Sequence, residues 1–383
     1  MRAVTYFPVI HNVHLTKDVG LIPLHLSKLP GTEAVLAGHF PDEDYPALRT
    51  EAAGLSVLRL PDKGKSAFLD RAFLIYLKKH AREVDVLQLY HLSRDSLIYG
   101  IYYKRYNPKG VLWLKLDAYN AAFEEPKRYS RSPVKDGLLR MAEKKFLRKA
   151  DLVTVENRAG IEVITNTYAQ LAGKLMYLPN GANDPYIARC TGGIEKEKRI
   201  LSVGRPGSPD KNYELLMAAL PHLELPEGWQ IEVVGPCTPA FESAWREAAL
   251  QYPETAARIT FSGALSDRAE LYRKYARSSV FFLPSRVESF GIAYAEALIN
   301  GNVLTGHTGM YAYPDLSGGG MYGTCYSDND PASFADALKD AVAMSAAPDF
   351  AEKAREFAVE NFSWSKIAAE AWERIQSLRG DAG

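Results

Sequence analysis

A short strand, a loop and a helix follow one another in Val280-Phe-Phe-Leu-Pro-Ser-Arg-Val-Glu288-Ser-Phe-Gly-Ile-Ala-Tyr-Ala-Glu296-Ala-Leu-Ile-Asn-Gly301. The first four residues are apolar, and Pro284 stops them, which is typical of a buried parallel strand. Residues 291–299 show a helical pattern that is apolar almost all round, with Glu296 as the exception. A buried carboxylate is costly unless a protein cation, a hydrogen-bond donor or a ligand hydroxyl satisfies it. Glu296 therefore needs a partner.

Glu288 lies eight residues before Glu296, on the loop side of the helix start. Free backbone N–H groups and the helix dipole favour an anion at that place. At ~1.5 Å of rise per residue the two carboxylates would lie roughly 12 Å apart along the axis, about the reach of a folded sugar-nucleotide. Taken alone, the stretch favours a simpler interpretation, a helix-start charge and a satisfied core acid.

The composition sets broad limits on the class of protein. A chain of 383 residues with 47% hydrophobic content is long enough for two ordinary domains. Basic and acidic residues number 46 each, so no overall field attracts nucleic acid. The three cysteines are far apart and odd in number, which indicates a reducing compartment and argues against a zinc site. Because no signal-peptide core and no apolar run near ~18 residues is found, we predict a soluble, cytoplasmic protein.

Short apolar strands alternate with amphipathic helices along the first half of the chain, a pattern typical of a doubly wound parallel sheet. Strands are predicted at 2–9, 34–37, 55–60, 85–90, 111–116 and 152–156. Helices are predicted from Leu21 onward and at 67–83, 92–105 and 138–149. The first domain is therefore predicted to be Rossmann-like.

A cluster of turn-forming residues at 179–185 marks a domain boundary, after which the pattern restarts. Strands are predicted at 199–203, 230–234, 259–261, 280–283 and 302–305, and helices at 213–220, 268–276, 331–344 and 366–378. We predict Rossmann-like domains at 1–183 and 184–361 and a C-terminal helix at 362–383 that packs back on the first domain. Two such domains facing each other would place a cleft between the carboxyl ends of both sheets.

A second constellation reads Leu201-Ser-Val-Gly204-Arg205-Pro-Gly207-Ser-Pro-Asp210-Lys211-Asn212, a strand end, a turn-rich loop and a helix start. Gly204 and Gly207 let the backbone approach a ligand, and Asp210 is the expected N-cap. Arg205 and Lys211 bring two cations to a place that already favours anions. A solvated loop with surface charges is the alternative. The glycine spacing matches neither a dinucleotide fingerprint nor a P-loop.

Glycines also end the next two strands, at Gly235 and Gly263, and Leu265 follows the second of them. Backbone groups exposed at such a strand end, beside an apolar residue, suit a flat base held by main-chain hydrogen bonds. Ordinary strand-ending glycines are equally consistent with the sequence.

These motifs form one ordered series along the second domain, which reads Gly204-Arg205, Lys211-Asn212, Gly235, Gly263-Ala-Leu265, Pro284-Ser, Glu288-Ser-Phe-Gly291, Glu296-Ala, Gly301 and Thr308-Gly309. The series resembles the donor domain of retaining GT-B glycosyltransferases of the glycosyltransferase family 4 type. The marker of that family is the Glu-x7-Glu pair, here Glu288 and Glu296. Asn180-Gly181 and Phe362-Ser-Trp-Ser are also similar to the family, whereas residues 1–180 resemble it much less.

The resemblance implies a site for a nucleotide-diphosphate-sugar donor, linked to UDP or GDP. Arg205 and Lys211 would grip the donor diphosphate, with the backbone of Gly204 close by. Glu296 would bind the ribose hydroxyls, and Glu288 would contact the transferred sugar. Breaking the anomeric bond leaves an oxocarbenium-like centre and a diphosphate, so the cations would stabilise the departing charge.

Backbone groups and one apolar side chain complete the implied site. The amides of Ser289, Phe290 and Gly291 would hold sugar hydroxyls or phosphate, and Leu265 with Gly263 would bracket the base. The implied enzyme is a retaining hexosyltransferase of polysaccharide biosynthesis that needs no metal and no further cofactor. The first domain would bind the acceptor and the second the donor.

The first domain departs from the family pattern, which often carries a histidine near the donor sugar after the fifth strand. The corresponding stretch here is Trp113-Leu-Lys115-Leu-Asp117-Ala-Tyr-Asn120. We predict Asp117 in the site, with helix capping or turn formation as the alternative. His91, at the end of the fourth strand, either reaches the acceptor or is structural. Gly20, after the first strand, is the predicted approach point for the diphosphate.

Residues 127–149 contain nine basic residues against Asp136 and Glu143. A basic amphipathic helix in the acceptor domain predicts a glycan or lipid-linked acceptor and peripheral contact with an anionic membrane at its inner face. A solvated charged face is the alternative. Asp42-Glu-Asp44 and Asp328-Asn-Asp330 match an Asp-x-Asp metal signature, but both lie in polar turns, so we predict no metal site.

Other functions are compatible with parts of the sequence. A non-catalytic binding or scaffold protein on the same fold would explain the missing histidine. A sugar-nucleotide epimerase or a phosphorolytic enzyme would use a similar donor domain. A nicotinamide-dependent oxidoreductase is disfavoured because the glycine fingerprint is absent.

Overall fold

A computed structural model describes residues 1–61, 70–117 and 128–380, which form two compact units. Unit 1 contains Met1–Asn183 and Trp364–Gly383, and unit 2 contains Asp184–Ser363. Some predicted features lie outside the described residues, namely the helix start at 67–69, residues 118–120 after Asp117, Lys127 of the basic segment and residues 381–383.

The strands, in chain order, are β1 (Arg2–Val9), β2 (Glu33–His39), β3 (Ser56–Arg59), β4 (Val86–Tyr90), β5 (Val111–Leu116), β6 (Leu152–Val155), β7 (Leu175–Tyr177), β8 (Arg199–Val203), β9 (Gln230–Val234), β10 (Ile259–Gly263), β11 (Val280–Phe282), β12 (Val303–His307) and β13 (Gly323–Tyr326).

The helices are α1 (Asn12–Leu15), α2 (Asp18–Leu26), α3 (Arg71–His80), α4 (Arg94–Tyr106), α5 (Pro133–Lys149), α6 (Arg158–Thr167), α7 (Asp184–Thr191), α8 (Glu214–Ala219), α9 (Pro239–Gln251), α10 (Pro253–Ala256), α11 (Arg268–Arg277), α12 (Ile292–Ile299), α13 (Tyr313–Leu316), α14 (Pro331–Met344), α15 (Phe350–Phe362) and α16 (Trp364–Gly380). Among the described residues, no helix combines the length and the apolar character needed to cross a bilayer.

The strands of unit 1 form a parallel sheet in the order β3-β2-β1-β4-β5-β6-β7. Every residue of β4 and β5 is buried, as expected for strands covered by helices on both faces. The chain leaves β1 toward β2 on one side and later returns to β4 on the other. The topological switch point, where open α/β sheets bind ligands, therefore lies between the carboxyl ends of β1 and β4.

Unit 2 repeats this plan with the strand order β10-β9-β8-β11-β12-β13, again parallel. Here the switch point lies between the carboxyl ends of β8 and β11. The loops that follow these two strands carry the motifs that the sequence singled out. The prediction of two Rossmann-like α/β units is therefore confirmed.

The last helix, α16, belongs to the core of unit 1, as predicted for the C-terminal helix. It packs against α2, and its buried side chains share one helix face, with positions at Trp364, Ile367, Ala368, Ala371, Trp372 and Ile375. This spacing of three and four residues is the amphipathic pattern of a helix with a single packed face.

Several elements were not predicted from the sequence, among them α6, α7, α9, α15, β7 and β13. The strand β7 has only three residues, all half-buried, and so short a run does not by itself indicate a strand. The buried face of α15 contains Phe350, Ala354, Ala358 and Phe362 among many charged residues. Two of these four positions are alanines, which give a weak hydrophobic signal.

His25 of α2 makes the stability of unit 1 sensitive to acid. The side chain is 2% exposed, and within the described residues neither ring nitrogen has a hydrogen-bond partner. Burial, with a smaller contribution from Lys28, lowers the pKa of His25 to about 3. The unfolded chain therefore binds more protons than the folded chain as the pH falls below the ordinary histidine pKa, and folding stability is lost over that window.

We predict that His25→Leu flattens the pH dependence of stability below neutral pH. Wild type should lose on the order of 1.4 kcal/mol more than the variant for each pH unit below about 6. Chemical unfolding of both proteins at neutral pH and at about pH 5 measures this difference. Parallel stability curves for the two proteins would contradict the assignment of His25 as a buried neutral group.

Candidate functional site

Two loops meet at the switch point of unit 2, one after β8 and one after β11. The backbone N–H of Arg286 donates to the Asp210 carbonyl at 2.9 Å, which ties the two loops together. Across this junction the Lys211 ammonium donates to the Glu288 carboxylate. Both side chains are largely buried, with 20% and 15% exposure. The structure thus brings two predicted site residues into direct contact.

Arg205 completes the charged group at this junction. Its guanidinium and the Lys211 ammonium each lie 3.7 Å from the Asp210 carboxylate. A hydrogen bond from Ser208 Oγ, and the nearby cations, lower the pKa of Asp210. The expectation that Asp210 caps the helix is wrong, because α8 begins at Glu214 and its N-cap makes no side-chain bond. Two cations and two carboxylates therefore share one edge of the sheet, and an incoming anion would exchange with the carboxylates.

The glycines around this edge of the sheet are required for different structural reasons. A methyl group at Gly204 would lie 2.6 Å from the Tyr213 hydroxyl, and one at Gly235 would collide with the Gly204 carbonyl. These two glycines allow protein packing. Gly263 has a φ of 70° and open space around its Cβ position. Leu265, two residues later, is half-buried.

The turn before α12 depends on Gly291. This residue has a φ of 78°, in the left-handed region that favours glycine, and acts as the N-cap of α12. The preceding Phe290 is fully buried and its ring lies 5.9 Å from that of Phe362. Phe290 can therefore offer only its backbone to a ligand. Ser289, beside it, is half-buried.

Glu296, in the middle of α12, has its partners within the protein. The guanidinium of Arg268 and, at 3.3 Å, the hydroxyl of Tyr272 donate to its Oε1. Both donors lie on α11, one helical turn apart, and Glu296 itself is 6% exposed. Arg268 is thus the protein cation that satisfies the buried Glu296 carboxylate. Arg268 was missed because its partner lies 28 residues away.

His307 is another residue of this edge that the sequence did not single out. It ends β12, is buried, and accepts the Gly309 N–H at its Nδ1 at 3.1 Å. Burial lowers the pKa of His307 below its ordinary value, so the neutral ring can accept this bond near neutral pH. The histidine thereby fixes the turn at Thr308–Gly309.

Unit 1 contains a buried charge cluster at the carboxyl edge of its sheet. Lys115 is completely buried, and its Nζ lies 3.1 Å from Asp18, 3.3 Å from Glu156 and 3.7 Å from Asp117. Burial opposes the charge on Lys115, but the three carboxylates outweigh this and raise its pKa above the ordinary lysine value. Asn180 donates to Glu156 at 2.6 Å. We call these five side chains the Lys115 cluster.

Asp117 is the most exposed acid of the Lys115 cluster, with 37% exposure. Its second oxygen lies 3.6 Å from Nδ1 of His91, which has an unusual φ of 58°. The two residues thus stand together at the ends of β4 and β5. Gly20 lies within the first turn of α2, which begins at Asp18 and not at Leu21. A side chain at Gly20 would collide with the backbone of Leu15, so this glycine allows α1 and α2 to approach closely.

The two Asp-x-Asp sequences have local structural roles. Asp42 accepts from the Asn12 N–H at 2.6 Å, and Asp44 pairs with Arg49. Asp330 caps α14 by accepting from Ala332 and Ser333. Within the described residues, no group of three or more histidine, cysteine, aspartate or glutamate side chains is arranged to hold a metal ion.

Residues 189–358, which lie within unit 2, match the family model described as glycosyl transferases group 1. Among curated proteins, a glycogen synthase from Clostridium novyi is 29% identical over 175 residues, which is 44% of this chain and 35% of that protein. Glycogen synthases from two other bacteria match over 18% and 22% of their own length. The chain thus spans about a third or less of the curated relatives that it matches.

Solved structures match over nearly the whole chain. Sucrose-phosphate synthase from Thermosynechococcus elongatus has a TM-score of 0.68 at 18% identity, with complete coverage of both chains. HepE from Anabaena, solved in complex with UDP, has a TM-score of 0.71 at 14% identity, covering 98% of this chain and 100% of its own. At this level of identity the likeness establishes the fold. The chain therefore has the GT-B fold, and residues 189–358 of its second unit are similar to the family model of glycosyl transferases group 1.

Proposed function

We propose that this protein is a retaining glycosyltransferase of the family 4 type, which moves a sugar from a nucleotide-diphosphate sugar to a glycan or lipid-linked acceptor. The observation that carries the proposal is the junction of Lys211, Glu288, Arg205 and Asp210 at the switch point of unit 2. Its position, its two cations and its place inside the matched family range all support an anionic donor.

The side chains of unit 2 would divide the donor between them. Lys211 and Arg205 bind the diphosphate, and Glu288, released from Lys211 by the incoming phosphate, contacts the transferred sugar. Glu296 binds the ribose, so its carboxylate accepts hydrogen bonds from the ribose hydroxyls as well as from Arg268. The backbone of Ser289, Phe290 and Gly291 lies before α12, where N–H groups favour an anion.

The chemistry follows from charge. The bond between the anomeric carbon and the diphosphate oxygen breaks, the acceptor hydroxyl oxygen bonds to the same face of that carbon, and a diphosphate oxygen takes the acceptor proton. The Lys211 ammonium, held by Glu288, and the Arg205 guanidinium stabilise the charge that develops on the diphosphate. The protein residues named here perform this task without a metal ion in the proposed mechanism.

Unit 1 would receive the acceptor near His91 and Asp117, at the carboxyl edge of its sheet. We place the protein in the cytoplasm, peripheral at the inner face of a membrane, on the strength of the basic segment at 127–149. A UDP-linked donor is favoured because the structural neighbour from Anabaena binds UDP.

A donor panel tests the proposal without knowledge of the acceptor. UDP-glucose, UDP-galactose, UDP-N-acetylglucosamine, ADP-glucose and GDP-mannose are each titrated by calorimetry and assayed for slow hydrolysis. We expect one nucleotide class to bind and its sugar to be released with retained anomeric configuration. Binding without turnover in any acceptor mixture would indicate a scaffold protein, epimerised sugar-nucleotide would indicate an epimerase, and no binding would refute the proposal.

A further inference from the structure

The helix α5 carries an exposed apolar face that no other described element covers. Val134, Leu138 and Met141 are 74%, 62% and 69% exposed. Their spacing of four and three residues places them on one side of the helix. The opposite side is packed, since Phe146 fits against Gly100 of α4. We call the first three residues the α5 face.

Cations surround the α5 face. Arg131 and Lys135 flank its start, and Lys144, Lys145 and Arg148 follow it along the helix, all of them exposed. Lys145 and Arg148 continue the same side of the helix as Met141, four and seven residues further on. The exposed side of α5 is therefore apolar in its first half and basic in its second.

The two acidic side chains of α5, Asp136 and Glu143, are largely buried. Asp136 accepts from the backbone of Tyr129 at 2.7 Å and from Arg140 at 2.8 Å. Glu143 is 6% exposed. In the fully described range 128–149, the exposed charges are consequently all positive. A merely solvated helix would not need to hide both of its acids.

A cavity of about 580 Å³ lies beside the α5 face. Leu138 and Leu139 form apolar parts of its wall, and Arg94, Arg128 and Lys135 contribute cations. A lining that combines apolar side chains with cations matches the chemistry of an anionic phospholipid, whose phosphate adjoins its acyl chains.

We propose that the α5 face docks on an anionic phospholipid bilayer, with Val134, Leu138 and Met141 inserted among the lipids and the surrounding cations on the headgroups. Apolar insertion and charge attraction add in such interfacial helices. The biological purpose of the docking, which is to bring unit 1 to a lipid-linked acceptor, rests on the proposed function. The docking itself needs neither donor nor acceptor.

Co-sedimentation of the full chain with vesicles tests the docking. Wild type should bind mixed vesicles of phosphatidylcholine and phosphatidylglycerol and should stay in solution with phosphatidylcholine alone. Val134→Ser/Leu138→Ser/Met141→Ser should weaken binding about 10- to 100-fold. Lys144→Glu/Lys145→Glu should weaken it at least about 10-fold, since each cation near such a surface contributes about fivefold.

The matched control is Ile75→Ser/Leu250→Ser/Met321→Ser, which removes equally exposed apolar side chains elsewhere. It should bind like wild type. The proposal is overturned if wild type ignores the mixed vesicles, or if the control loses as much binding as the α5 variant. It is also overturned if sedimentation without lipid shows that wild type is a dimer and the α5 variant a monomer, because the face would then bind a second copy of the chain. Vesicle binding by a protein that turns over no donor would leave the docking intact and refute the transferase.

Discussion

We expect Lys211→Ala to lower the rate of the proposed sugar transfer by about 100- to 1,000-fold, the usual cost of removing one group that stabilises developing negative charge. The structure holds the Lys211 ammonium at the carboxyl edge of β8, 80% of its side chain shielded from solvent, through Glu288. A cation fixed in place before reaction needs no reorganisation when the diphosphate departs. Initial rates with the donor identified in the panel, together with thermal unfolding, measure the effect.

Two further variants separate catalysis from folding. Lys339→Ala removes another lysine, one whose exposed ammonium lies 3.0 Å from Glu224, and should leave transfer unchanged. The charge swap Lys211→Glu/Glu288→Lys keeps an ion pair between the two loops but exchanges the groups that meet the donor. The swapped protein should stay folded and inactive. An active swap would show that the pair only holds the loops together.

We expect Lys115→Met to destabilise unit 1 by about 3–5 kcal/mol, the range seen when one partner of a buried ion pair is removed. Methionine fills the space of the lysine stem but leaves Asp18, Glu156 and Asp117 without their shared cation. Two of these acids are largely or fully buried, so their carboxylates must be protonated or exposed to water. Chemical unfolding followed by tryptophan fluorescence detects the loss, since Trp113 lies in the same strand.

A second substitution in the same cluster tests the explanation. Lys115→Met/Glu156→Gln removes one buried carboxylate as well as the cation, and should recover part of the lost stability. Lys339→Met provides the comparison with an exposed lysine and should unfold like wild type. If Lys115→Met is as stable as Lys339→Met, the carboxylates do not depend on Lys115.

The central strand and helix of unit 2 were predictable because their ends are local features of the sequence. Pro284 stops the run that becomes β11, and Gly291 and Gly301 have left-handed φ values of 78° and 77° that bound α12. The two-unit architecture was predictable from the alternation of buried strands and amphipathic helices. The contact between Lys211 and Glu288 was not predicted, because it depends on β8 and β11 being neighbours in the sheet.

The buried charge clusters were not predictable, since their members are distant in sequence. Lys115 appears in the sequence as one polar residue in an otherwise apolar strand, and its partners Asp18 and Glu156 come from two other segments. Glu296 gave a clear signal that it needs a partner, but nothing near it identifies Arg268. Pairing of this kind is decided by which helices pack side by side, which the pattern of each single helix does not contain.

The position of α16 has a consequence for protein synthesis. Unit 1 is the first to leave the ribosome, yet its core includes Trp364 and Trp372, which are translated only after all of unit 2. Domains generally fold as units while the chain is being made. Until residues 364–380 are made, the nascent unit 1 therefore lacks the helix that packs against α2. Chaperone binding to the nascent chain should accordingly concentrate on α2 and end when residues 364–380 emerge.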